Sequence, residues 1–205
     1  MRGVTTLYYS YLKYLSKERK KIALLQLTGR IEDYLVREFI WHAHTKHNFG
    51  VANIGSKNQQ KIDICLLKGK LDNPTIYCMV EAKYFRNKHR LWDNATDEIG
   101  YTLKDLNRQL HYFNYSKHGN MEVGLISKSH SIYGLVFASY VNNKKDKSKK
   151  DKFYKDIKNA ACKYFKYHDL PNPGFRKVFD DVKVRVLNTD FYVTLKGGLW
   201  KRRGG

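Results

Sequence analysis

Two acids and an amine stand where alternating apolar residues predict buried strands. Residues 61–83 read KIDICLL, a polar turn around GKLDNP, then TIYCMVEAK. In the first half Asp63 falls on the face of Cys65 and Leu67, with Ile62, Ile64 and Leu66 on the other. In the second, Glu81 and Lys83 share a face with Tyr77 and Met79. Gly69, Asp72, Asn73 and Pro74 are turn formers, so the strands are expected to pair antiparallel and to bring Asp63 beside Glu81 and Lys83. Two carboxylates and one ammonium among apolar side chains are costly to bury without a compensating charge. A divalent cation with oxygen ligands from both acids would supply it. An isolated Glu-x-Lys is otherwise an ordinary surface ion pair of little energetic consequence.

The whole set has more content than the pair. Asp63 followed by Glu81-Ala82-Lys83, with the acids 18 positions apart, resembles the PD-(D/E)XK nuclease superfamily. Upstream, TGRIEDYLVREF is similar to that superfamily's first helix, with Glu32 in the place of the helical acid. Downstream, LKDLNRQLHYF is similar to the helix after the ExK strand, where many members carry a glutamine; Gln109 fits. The chain departs from the pattern at Ile62, where the motif's name has proline, a position that varies in the superfamily. The resemblance spans roughly residues 28 to 140 and rests on the order and spacing of four short elements.

It implies an α/β fold with a restriction-endonuclease-like core, a mixed β-sheet flanked by helices in αβββαβ order. The implied activity is Mg²⁺-dependent hydrolysis of DNA phosphodiester bonds by an endodeoxyribonuclease, with Mn²⁺ able to substitute. Asp63, Glu81 and the Ala82 carbonyl would hold the metal, and Glu32 would complete the site directly or through water. Lys83 would orient or deprotonate the attacking water or stabilise charge on the phosphate, and Gln109 would hold water or substrate. Cutting both strands calls for two sites, which a homodimer would provide. The alternative is a non-catalytic nucleic-acid-binding subunit that keeps the fold.

The elements that must position these groups follow from patterning. A chain of 205 residues, 42% hydrophobic and 14% aromatic, is long enough for one sizeable core and too apolar to be disordered. A formal net charge of +20 points to a polyanionic partner, with nucleic acid foremost. Three cysteines without a CxxC pair suggest a reducing compartment and buried thiols at Cys65 and Cys78. No signal-peptide pattern or membrane-length apolar run is evident, and a cytoplasmic location is expected.

Residues 1–27 read as a basic helical segment with Leu7, Tyr11, Leu15, Ile22 and Leu25 inward; its cluster at 17–21 suits a solvated face or phosphate contacts equally. The core at 28–141 should open with Thr28 as N-cap and the stripe Ile31, Leu35, Phe39. His42, His44 and His47 near that helix's end read as surface residues, and 48–60 as an edge strand plus loop. After Lys83, the cations Arg86, Lys88 and Arg90 stand among Tyr84, Phe85 and Trp92, a mixture suited to nucleic acid or to a partly buried surface loop. A helix is expected over 99–116, then strands at 121–127 and 133–141.

Residues 142–152 contain no apolar residue and read as a solvated loop carrying Lys144, Lys145, Lys147, Lys149 and Lys150. Over 153–205 a basic helix and a β-hairpin are expected to pack on the core as an extension. In the hairpin Val182, Val184 and Val186 face inward, Lys183 and Arg185 face outward, and 188–190 form the turn. The lysine loop and these two cations are the candidate DNA-backbone contacts.

Overall fold

A computed structural model describes residues 3–29, 31–45, 49–55, 61–70, 73–87, 126–164 and 175–201. Three helices come first: α1 (Val4–Lys17), α2 (Arg19–Thr28) and α3 (Ile31–His44). In α1 the buried residues Val4, Leu7, Tyr8, Tyr11, Leu12 and Leu15 recur at the three- and four-residue intervals of one helical face. The basic N-terminal segment breaks at Glu18, so it is two helices rather than one. Gly29, with φ of +94°, ends α2 in a conformation that favours glycine. Thr28 is therefore not the expected N-cap of α3. It is the last residue of α2, and its hydroxyl donates back to the Leu25 carbonyl (3.1 Å).

Six strands form one sheet in the order β1-β2-β3-β4-β6-β5: β1 (Phe49–Gly55), β2 (Lys61–Lys70), β3 (Asn73–Arg86), β4 (Ile126–Asn142), β5 (Arg176–Val186) and β6 (Thr189–Lys201). The first three make an antiparallel meander, and β4 then runs parallel to β3. The expected hairpin around Asp63 and Glu81 is present, with Ile64 opposite Val80 and Cys65 opposite Met79. The run 126–142 forms a single strand, whereas two were expected at 121–127 and 133–141. Residues 121–125 and the helix expected over 99–116 lie outside the described residues.

The C-terminal hairpin is built into the sheet instead of packing on it: β6 pairs antiparallel with β4 from Tyr133↔Lys201 to Asn142↔Tyr192. Its turn is Leu187-Asn188, both at positive φ (45° and 63°), earlier than the expected 188–190. Two consecutive positive φ values match the right-handed twist of a two-residue hairpin.

Alternation sorts the sheet into two faces. Ile64, Leu66, Cys78, Val80, Ala82, Leu135, Phe137, Val193 and Leu195 join the core under α1, α2 and α3. The opposite face carries Asp63, Glu81 and Lys83 and is partly covered by a fourth helix, α4 (Lys147–Tyr164). There Phe153 packs on Tyr140, and the Tyr154 hydroxyl donates to the Thr194 carbonyl (3.0 Å). The lysine-rich loop expected over 142–152 is thus helical from 147 on. Asp146 caps it, its carboxylate accepting from the Lys149 N–H (3.0 Å), while Phe153 and Ile157 anchor the next turns. Capping and two buried anchors outweigh the mutual repulsion of exposed lysines. Cys65 and Cys78 are buried free thiols, and burial pushes Cys65 up to about 12.

Candidate active site

The ladder between β2 and β3 shifts register once, between Leu66 and Leu67, and runs as far as Ile64↔Val80, where the acids take over. The Ala82 N–H donates to Asp63 Oδ2 (2.8 Å), and the Asp63 N–H to Glu81 Oε2 (3.3 Å). The Tyr84 amide lies near the Glu32 carboxyl from α3 and favours its charged form. Two backbone donors at the parting of the strands therefore meet carboxylates, and a third lies near one. A strand residue's N–H and C=O leave on the same side, so the Ala82 carbonyl also faces this opening. Beyond it, among the described residues, β3 pairs with β4 and no other strand, as far as Arg86↔Ser139. Asn87 fastens that end: its Nδ2 donates to the Val141 carbonyl (2.9 Å), and the Val141 N–H donates to its Oδ1 (2.6 Å). Sequence patterning gave no hint of Asn87 or of the Tyr84 N–H, since neither has a periodic signature.

Lys83 sits among these acids, its Nζ donating to Glu81 Oε1 (3.2 Å). Glu81 is 4% exposed. Burial and the neighbouring Asp63 charge push its carboxyl up to about 7 against the pull of Lys83. Burial, then Asp63, also raise Glu32, with Lys83 and the Tyr84 N–H opposing. For Lys83, burial alone would lower the pKa; the Glu81, Glu32 and Asp63 carboxylates outweigh it and hold the amine above its ordinary value. The amine is thus firmly protonated in this arrangement.

Three carboxylates around one ammonium leave a formal excess of two negative charges when all are ionised. That excess, with Asp63 Oδ1 unpaired among the described residues, fits a hard divalent cation. As they stand the acids do not form a closed cage: no group of three or more His, Cys, Asp or Glu set to hold a metal occurs among the described residues. Both Glu81 oxygens and Asp63 Oδ2 are instead engaged by N–H groups or by Lys83.

The structure brings Glu32, Asp63, Glu81, Ala82 and Lys83 together. Gln109, Lys88 and Arg90 lie outside the described residues, while Arg86 is exposed at the end of β3. Of the eight expected DNA-contacting cations that are described, four are engaged by acids. Lys150 Nζ bonds Asp180 Oδ1 (2.8 Å) and Asp181 Oδ1 (3.0 Å), and Lys149 pairs with Asp146 (3.5 Å). On the hairpin Lys183 and Arg185 share Asp190 (2.6 and 2.8 Å), whose carboxyl hydrogen bonds to Arg185 and Lys183 hold down at about 2. Lys145 lies over the Tyr192 ring (5.1 Å); Lys144 and Lys147 form no ion pair among the described residues. Sequence patterning had no way to show that Asp190 faces both hairpin cations, because cross-strand partners depend on the turn.

The expected surface position fails for His42, which is buried between α1 and α3, 2.5 Å from Ser10 Oγ and stacked on Tyr14. No helix among the described residues is long and apolar enough to cross a membrane. The chain matches no protein-family model, no curated protein and no solved structure.

Proposed function

We propose that the chain is a divalent-metal-dependent endodeoxyribonuclease with a restriction-endonuclease-like core. The observation that carries this reading is the convergence of Glu32, Asp63 and Glu81 on Lys83 at the parting of β2 and β3. The strand order supports it: an antiparallel meander after α3, then a strand parallel to the ExK strand. A basic chain of net charge +20 suits a polyanionic substrate.

Asp63, Glu81 and the Ala82 carbonyl would hold Mg²⁺ or Mn²⁺, and Glu32 would join them from α3. The bound cation would neutralise the scissile phosphate and acidify a water beside it. Burial that disfavours the charged carboxylates makes them a receptive ligand set, since a divalent charge offsets the repulsion between them. A Lys83 held above its ordinary pKa serves as a cation that stabilises charge on the phosphate or gives up a proton. It is a poor base unless its acid neighbours are neutralised.

The alternative, a nucleic-acid-binding subunit without catalysis, draws on the existing engagement of both acids by backbone N–H groups. Calorimetric titration with Mn²⁺ separates the two. Chelator-sensitive binding in the parent that is lost in Asp63→Ala supports the nuclease, and no binding in the parent supports the alternative.

A further inference from the structure

Away from the acids, a groove of about 480 Å³ between α1 and α3 is lined by Ser10, Lys13, Tyr14, Lys17, Trp41, His42 and Thr45. Trp41 presents 66% of its surface to solvent and is the aromatic member of the three exposed large apolar side chains among the described residues, the others being Leu24 and Leu187. Lys13 and Lys17 are exposed and form no ion pair among the described residues. They stand four residues apart on α1, about 6 Å along the axis, which suits successive phosphates of one strand. The groove's lining contains no carboxylate. In that it differs from the cavity of about 350 Å³ at the start of α4, where five lysines are matched by four aspartates. An exposed indole costs little to leave wet singly, but beside two unpaired cations it makes a stacking platform with charge to hold a backbone.

We infer that this groove binds single-stranded nucleic acid, one base stacking on Trp41 and the adjoining phosphates meeting Lys13 and Lys17. The inference rests on the nucleic-acid reading of the function but not on catalysis. Ser10 and His42 form a polar floor, closed by their mutual hydrogen bond. The same helix that brings Glu32 to the acids carries Trp41 nine residues later, about 14 Å along its axis. Nine residues are two and a half turns, so Trp41 stands on the side of α3 opposite Glu32, and the groove is a site apart from the acids.

The test uses the full chain with EDTA present, titrated with a short fluorescently labelled oligothymidylate and followed by anisotropy. Trp41→Ala should weaken binding about tenfold, with Trp41→Phe recovering most of the loss because a phenyl ring still stacks. Replacing Lys13 and Lys17 together by Gln should flatten the dependence of log affinity on log salt by about 1.4. Trp41 is on the surface, so the variants keep the parent's thermal unfolding. Binding by Trp41→Ala equal to the parent's, or an unchanged salt slope in the double variant, overturns the proposal. So does quenching of Trp41 emission by phosphatidylserine vesicles but not by the oligonucleotide, which would make the groove a membrane contact. Asp63→Ala should bind the oligonucleotide like the parent, so loss of metal binding and loss of the groove are read separately.

Discussion

Glu81→Gln tests the electrostatics of the acid cluster without any assay of cleavage. The Glu81 carboxyl is displaced from 4.5 to about 7, first by burial and then by Asp63. At about 1.4 kcal/mol for each tenfold change in proton affinity, this amounts to about 3 kcal/mol. The folded chain holds the proton more tightly than the unfolded one. The contribution of Glu81 to stability is therefore complete below 4.5 and is lost as pH rises through about 7. Glutamine keeps the shape and cannot ionise. The stability of the variant minus that of the parent should grow by about 3 kcal/mol from about pH 4 to about pH 8. Urea denaturation at a series of pH values in EDTA measures it, and titrating histidines cancel in the difference. A constant difference across that range would refute the reasoning. Adding Mn²⁺ at about pH 8 should then stabilise the parent, by about 2.7 kcal/mol at a hundred times its Kd, and leave Glu81→Gln unmoved.

Four further outcomes are expected. Asp63→Ala and Lys83→Ala should each abolish plasmid cleavage on a gel while DNA binding by filter retention stays near the parent's, because affinity comes from scattered cations; Glu32→Ala should slow cleavage less. Lys150→Ala removes the cation shared by Asp180 and Asp181 where α4 meets β5, and should lower stability by about 1 kcal/mol in thermal melts, since the carboxylates stay partly wet. A Cβ on Gly198 would run into the Trp200 ring, which is fully buried, so Gly198→Ala should destabilise by about 2 kcal/mol or more and shift Trp200 emission. Raising pH through about 7 should strengthen Mn²⁺ binding in calorimetry as Glu81 loses its proton, and Glu81→Gln should show no binding on either side of that pH.

What sequence could show was set by periodicity. The alternation about Asp63 and Glu81 gave the hairpin and the face of the acids but not its register, which shifts between Leu66 and Leu67, and a three-to-four spacing gave Leu7, Tyr11, Leu15 and the inward stripe of α3. It misplaced boundaries where one residue's conformation decides. Gly29 at positive φ moved the start of α3 past Thr28, and a single capping aspartate turned half of a lysine-rich loop into helix. The hairpin's membership of the sheet was hidden because β6 pairs with a strand some sixty residues earlier, a contact that local pattern does not encode. The site's acids were legible as a set of residue types in order. Their backbone partners were not, since a main-chain N–H has no letter in the sequence.

Those backbone partners make the acid cluster readable one member at a time. The amide of Asp63 donates to Glu81 and that of Ala82 to Asp63, while that of Tyr84 lies near Glu32. An amide proton moves in chemical shift when the carboxylate it donates to gains a proton or a cation. In a pH series of amide spectra each of these resonances is thus a reporter of a different acid. Three curves from three backbone positions would give the order in which the cluster fills with protons, and the same three would show which carboxylate a titrated Mg²⁺ touches first.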